Sequence, residues 1–201
     1  MATSASHALP GGLPLLLRGR HADPGEGSCL MEYVSVLAGG RFSDHPRCTH
    51  PLLTWAARRI NDTVSDTARP LLATLAPDLI GTRVHRRRTR KAVRAVIYAE
   101  LAAAGLVADP HHRVLREVNE LALAHLAGRR WLRPVGTFDR NHMFETTLQA
   151  LGDVEPARRD QLLCTALASS VARSRRVLGL DTHSGLQEVL GRGDQHLVVS
   201  A

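Results

Sequence analysis

Proline at the front and glycine at the back of apolar segments with helical spacing is the pattern that most narrows what this chain can become. Pro51 precedes Leu52 to Asn61, with Leu53, Ala57 and Ile60 on one face. Pro110 precedes a segment through His125 in which Leu115, Val118, Leu121, Ala122 and Leu126 recur at three and four residues, and Gly128 follows. Pro156 opens a third, carrying Leu163, Leu167 and Val171 towards Leu178 and Gly179. Proline loses nothing at a first helical position, where its missing N–H has no partner anyway, and glycine takes the left-handed turn that ends a helix. A fourth segment, Thr89 to Ala104, has Ala92, Val96, Ala99 and Leu101 apolar and Gly105 as its expected stop. With 44% hydrophobic but only 3% aromatic residues, the core must come from Leu, Val and Ala, and Trp55, Trp131, Tyr98 and Phe144 are scattered fillers. Residues that favour strands are scarce, and no alternating pair with a hairpin turn appears. The sequence therefore predicts an all-α fold, an irregular bundle of about six helices with a disordered N-terminal arm.

The remaining elements follow the same signals. A first helix is predicted after Ser28, which can cap it, running through Leu30, Val34 and Leu37 to Gly39-Gly40, with a loop from Arg41 to His50. Ser65 or Asp66 can cap a short helix carrying Leu71, Leu72 and Leu75, with Pro70 in its first turn and Pro77 ending it. A linker with Trp131, Pro134 and Gly136 leads to a helix around Asn141 to Leu151, and Leu186 to Leu190 can add a turn. Residues 1–27 mix Ser, Ala, Gly, Pro and His without a period and are predicted to be a flexible arm; residues 28–190 form a single helical domain and 191–201 a flexible tail. A chain of 201 residues can bury a core without a staple.

No apolar run approaches the ~18 residues a membrane-spanning helix needs. Leu13-Pro-Leu-Leu-Leu17 is short for a signal-peptide core, and Arg18 and Arg20 follow it instead of preceding it. The expectation is a cytoplasmic protein with no membrane association. Three cysteines, an odd number without an export signal, argue for reduced thiols or a metal over a disulfide framework.

The net charge of +7 has a definite address. Between Arg83 and Arg94 lie Arg83, Arg86, Arg87, Arg88, Arg90, Lys91 and Arg94 with no acid, which equals the whole excess. Arginines supply forked donors to phosphate and release counterions on binding nucleic acid, so these residues are the candidate nucleic-acid contacts. The plain alternative is a solvated charge run in a chain whose Arg, Ala and Leu richness, with Lys91 as its only lysine, has the coding bias of a GC-rich genome. A helix reaching back to Arg83 would wrap the cations around itself, since neighbours point about 100° apart. Cations at a helix start also oppose its dipole, so either the arginines precede the helix or something anionic meets them. Aromatics for base stacking are missing nearby apart from Tyr98, which leaves weak, shape-blind phosphate contact. Gly105 to Pro110 is long for the turn of a helix-turn-helix, and Glu117 and Glu120 on the helix beyond would repel phosphate.

A second cluster lies between Ser28 and Pro51. Cys29, Glu32, Asp44, His45, Cys48 and His50 have the side chains that zinc or iron takes, although no C-x2-C pair is present. Each also has an ordinary reading. Glu32 suits a helix start, Asp44 a turn before Pro46, Thr49 or His50 the cap of the Pro51 helix, and the cysteines small buried positions. A thiol nucleophile with His45 or His50 as base and Asp44 as orienting group is a further option. His111, His112, Glu117, Glu120 and His125 scatter around their helix and are expected to face water.

Gly27-Ser-Cys-Leu-Met-Glu-Tyr-Val-Ser-Val-Leu-Ala-Gly39, with Phe42-Ser-Asp-His-Pro-Arg-Cys-Thr-His-Pro51 and Arg59-Ile-Asn-Asp62, resembles an uncharacterised family of small helical proteins from high-GC bacteria and their phages. The resemblance implies that Cys29, Glu32, Asp44, His45 and Cys48 belong together, and it brings no activity with it. Two functions remain open on the residues. One is a non-enzymatic accessory or regulatory protein that acts through contact with a protein or nucleic acid, using Arg83 to Arg94. The other is a zinc- or iron-binding module or metal-dependent enzyme built on the Cys29 to His50 region.

Overall fold

The computed structural model describes residues 15–128 and 138–183, together with 185, 186 and 189. Met1 to Pro14, the Trp131 linker and the tail from 191 lie outside the described residues. All regular structure described is helical apart from one isolated bridge between Leu16 and Ser28. The all-α class stands. The chain forms two compact units, Met1–Arg83 and Val84–Ala201.

In the first unit, α1 (Leu30–Leu37) packs against α2 (Pro51–Thr63), α3 (Pro70–Ala73) and α4 (Ala76–Leu79). Leu30, Met31, Val34, Leu53, Ile60, Leu72, Leu75 and Leu79 are fully or almost fully buried and make the core. Burying one such side chain contributes roughly 1.5–3 kcal/mol. Gly39 takes a φ of 69° and its N–H reaches the Val36 carbonyl, while Gly40 N–H reaches Ser35. Those bonds close α1 with a left-handed turn. Pro77 was expected to end a helix; it sits instead in the first turn of α4, where a proline is equally at home. One expected helix is therefore two short ones, which gives eight α-helices among the described residues.

Residues 15–27, expected to belong to a loose arm, are pinned to this core. Leu17 N–H donates to Ser28 O, Ser28 N–H donates to Leu15 O, and Leu16 is buried. Gly19 N–H donates to Asp62 Oδ1 at 2.8 Å. A composition without a period reveals nothing about hydrogen bonds to residues forty positions away.

In the second unit, α5 (Arg87–Ala108) is central and packs against α6 (Arg113–Leu126), α7 (Arg140–Ala150) and α8 (Pro156–Leu178). Every residue from Ala95 to Ala99 is buried. Leu115, Val118, Phe144, Leu163, Leu167 and Val171 supply the surrounding core. Gly105 does not stop α5. A Cβ there would stand 2.5 Å from Leu115 Cδ1 and 3.6 Å from Thr147 Cα, so the glycine permits close helix approach. Thr147 Oγ1 donates across that approach to Leu101 O at 3.3 Å. Gly128 and Gly179 behave as expected, with φ of 79° and 68° after α6 and α8. No helix among the described residues is long and apolar enough to cross a membrane.

Candidate functional site

Cys29 and Glu32 form a capping box at the start of α1. Cys29, not Ser28, is the cap: its Sγ accepts from Glu32 N–H at 3.5 Å, while Glu32 Oε2 accepts from Cys29 N–H at 2.7 Å. Glu32 is 1% exposed, and its carboxylate also accepts from His21 N–H at 2.9 Å and pairs with His21 Nδ1 at 3.0 Å. Three donors thus satisfy a buried anion. Burial pushes the Cys29 thiol up to about 12, with the Glu32 charge adding to it against opposing backbone hydrogen bonds. A thiolate ligand or nucleophile is disfavoured there.

Asn61 completes the knot from α2. Its Oδ1 accepts from Leu30 N–H at 3.3 Å, and its Nδ2 donates to Leu17 O at 2.9 Å and Asp62 Oδ1 at 3.1 Å. One fully buried amide thereby supplies a first-turn N–H of α1 and holds the Leu15 to His21 strap.

Asp44 and His45 stand together in the loop after α1. Asp44 Oδ1 meets His45 Nδ1 at 2.7 Å, Asp44 Oδ2 meets Arg58 at 3.0 Å, and Arg58 also reaches His45 Nε2 at 3.1 Å. Both ring nitrogens of His45 meet a partner, Nδ1 at Asp44 and Nε2 at Arg58. Burial raises the Asp44 carboxyl, but the His45 hydrogen bond and the charges of Arg58, His45 and Arg20 outweigh it, so its pKa lies below the ordinary 3.8.

Cys48 Sγ lies 3.7 Å from Thr49 Oγ1, and the Cys48 carbonyl accepts from Arg83 N–H. His50 caps α2, its Nδ1 accepting from Leu52 N–H at 3.2 Å while its own N–H donates to Thr82 Oγ1 at 3.1 Å. All three cysteines are free thiols. The six candidates therefore fall into local pairs with separate tasks: Cys29 with Glu32, Asp44 with His45, and Cys48 and His50 around the start of α2. Among the described residues no three His, Cys, Asp or Glu side chains gather as a metal would need.

The residues missed in the sequence are His21, Arg58, Asn61 and Asp62. Asn61 and Asp62 stand in the motif Arg59-Ile-Asn-Asp62, which carries no chemical signal of its own. His21 lies in a stretch without any period.

The basic segment is arranged differently. Arg83 belongs to the first unit, and Arg86 to Arg94 to the second. Arg86 is the N-cap of α5 and makes no side-chain cap, and the first turn holds no acid. Arg87, Arg90, Lys91 and Arg94 stand at i, i+3, i+4 and i+7 on α5, whose start at Arg87 leaves Arg83 and Arg86 outside the helix. That spacing covers a single stripe about 100° wide. The stripe faces away from buried Val93 and Val96, and all four cations are exposed. The wrapping expected of a helix reaching back to Arg83 does not arise, because α5 begins at Arg87; Arg88, also exposed, stands about 100° from Arg87, outside the stripe. None of Arg83, Arg86, Arg87, Arg88, Arg90, Lys91 and Arg94 has a carboxylate partner among the described residues.

Tyr98, the next position on the stripe, is 3% exposed and donates its hydroxyl to Phe138 O at 3.1 Å. It offers no face to a base. The chain matches no family model, no curated protein and no solved structure.

Proposed function

We propose that this protein is a non-enzymatic accessory or regulatory factor of the cytoplasm that acts through macromolecular contact, touching nucleic-acid phosphates with the basic start of α5. One observation carries the reading. Arg87, Arg88 and Arg90 crowd the first turn of a helix with no acid beside them, where each cation opposes the dipole by about 0.3–1 kcal/mol. Local rules of stability are broken in this way where a surface serves a partner. A GC-rich coding bias accounts for many arginines, but not for this run without a single acid.

Cations on one exposed stripe favour phosphate, the polyanion whose bound counterions they displace. Zinc or iron binding on the Cys29 to His50 residues has less support, because Cys29, Glu32 and His50 serve helix caps and Asp44 and His45 an ion pair. The kinship implied by the Gly27 to Asp62 motif belongs to the same proposal. Its support is that Cys29, Glu32, Asn61 and Asp62 act as one hydrogen-bonded unit, as a shared fold signature would.

The test is retention of pooled duplex and single-stranded nucleic acid by the full chain at increasing salt. Retention should weaken with salt and disappear when Arg86, Arg87, Arg88 and Arg90 are all replaced by Gln. Retention unchanged by that replacement overturns the reading.

A further inference from the structure

Resting on the phosphate-contact reading above, we infer that the partner of the α5 stripe is the backbone of double-stranded DNA, held without regard to sequence. Three features of the stripe argue for the duplex.

The first is length and charge density. From Arg87 to Arg94 the stripe runs about 10 Å along the helix axis. Duplex DNA carries one charge per ~1.7 Å of axis over its two strands, so about six phosphates lie along such a length, comparable in number to the four cations. Each contact on a duplex also releases more counterion than one on a single strand, with a salt slope of about 0.9 against about 0.7 per phosphate.

The second is the absence of a stacking platform. Proteins that hold single strands add aromatic faces to a basic groove. The aromatic on this stripe is Tyr98, whose ring is buried and whose hydroxyl is bonded to Phe138 O.

The third is depth. Only the first two turns of α5 stand clear, because every side chain from Ala95 to Ala99 is buried within the second unit. A recognition helix needs side chains that reach base edges in the major groove. This stripe offers only two exposed turns and carries no Asn or Gln to pair with adenine, so its cations are left with the sequence-independent phosphates. A membrane surface fits less well, because Thr89, Ala92 and buried Val93 give the stripe no large apolar side chain to insert.

The experiment is fluorescence anisotropy of a labelled 20-base-pair duplex of arbitrary sequence against the full-length chain, between 50 and 200 mM NaCl. The single strand of the same composition and anionic phosphatidylserine vesicles are run in parallel. Duplex affinity should fall about a hundredfold across that range, the change expected for about four neutralised phosphates, and a second duplex sequence should bind equally. The variant Arg87→Gln, Arg90→Gln, Lys91→Gln, Arg94→Gln should lose this binding. A control with the same net charge, Arg41→Gln, Arg47→Gln, Arg113→Gln, Arg176→Gln, should keep most of it, since those exposed arginines lie elsewhere. Circular dichroism melting of both variants confirms that they fold.

Single-strand binding as tight as duplex binding overturns the duplex inference and leaves phosphate contact standing. Vesicle binding in place of DNA, or equal losses in the two variants, also overturns it. No binding to either nucleic acid ends both readings together.

Discussion

In the first unit Glu32 accepts from Cys29 and His21, Asp44 is closed by His45 and Arg58, and Arg69 donates to Asn61 O, Val64 O and Asp66. In the second, Arg87, Arg90, Lys91 and Arg94 stand in water with no carboxylate partner among the described residues. The first unit has the more suggestive residue types, with thiols, imidazoles and carboxylates close in sequence. The polar atoms of Glu32, Asp44, His45 and His50 are nevertheless engaged by backbone and by neighbouring side chains, because a buried polar group left unmatched costs more than its partner contributes. The second has a plainer composition and keeps its charge available. Residue identity is thus a poor guide to a site, and unmatched bonding capacity a better one.

The contrast predicts that the first unit's polar residues govern stability. Glu32→Ala removes a buried anion from three donors, and the expected loss is about 3–5 kcal/mol, read from urea unfolding. A loss under about 1 kcal/mol would make Glu32 dispensable to the fold and reopen a functional role for it. Nucleic-acid binding by the second unit's stripe should be unaffected wherever this variant remains folded.

A smaller effect tests whether close helix approach in the second unit is as strict as the first unit's hydrogen bonding. Gly105→Ala gains about 1 kcal/mol of helix propensity but forces a methyl against Leu115 Cδ1, an overpacking that costs about 1–3 kcal/mol. The net expectation is a lowered melting temperature. A raised one would mean that Leu115 yields freely and the approach of α5 to α6 is loose.

The smallest effect concerns pH. Asp44 titrates below 3.8 in the folded state, so its stabilising contribution is present above that value and vanishes as pH falls through the lower folded-state pKa. Asp44→Asn should cost about 1 kcal/mol at pH 6. The difference from the parent should close by about pH 2, seen as converging urea midpoints. A difference that persists in acid would assign Asp44's effect to packing instead of charge.

Much of the fold was legible because its signals are local. Pro51 and Pro156 open α2 and α8, and Gly39, Gly128 and Gly179 take the left-handed turns that follow α1, α6 and α8. Where a residue has two local uses, the reading failed. Pro77 opens a helix as readily as it ends one, and Gly105 serves either as a stop or as a place where two helices touch. Ser28 looked like the better cap, but Glu32 reaches back to Cys29 N–H and settles the boundary one residue later. The stripe on α5 depended on the same kind of detail, since the start at Arg87 leaves Arg83 and Arg86 outside the helix.

The amino-acid order by itself determined the all-helical class, most helix ends and the address of the excess charge, because periodicity, backbone preference and charge are properties of neighbours along the chain. Tertiary structure alone decided that His21 closes on Glu32, that Asn61 reaches Leu30 and Leu17, and that the chain divides at Arg83. Those are distances between residues far apart in sequence, set by how whole helices pack, and no local pattern records them.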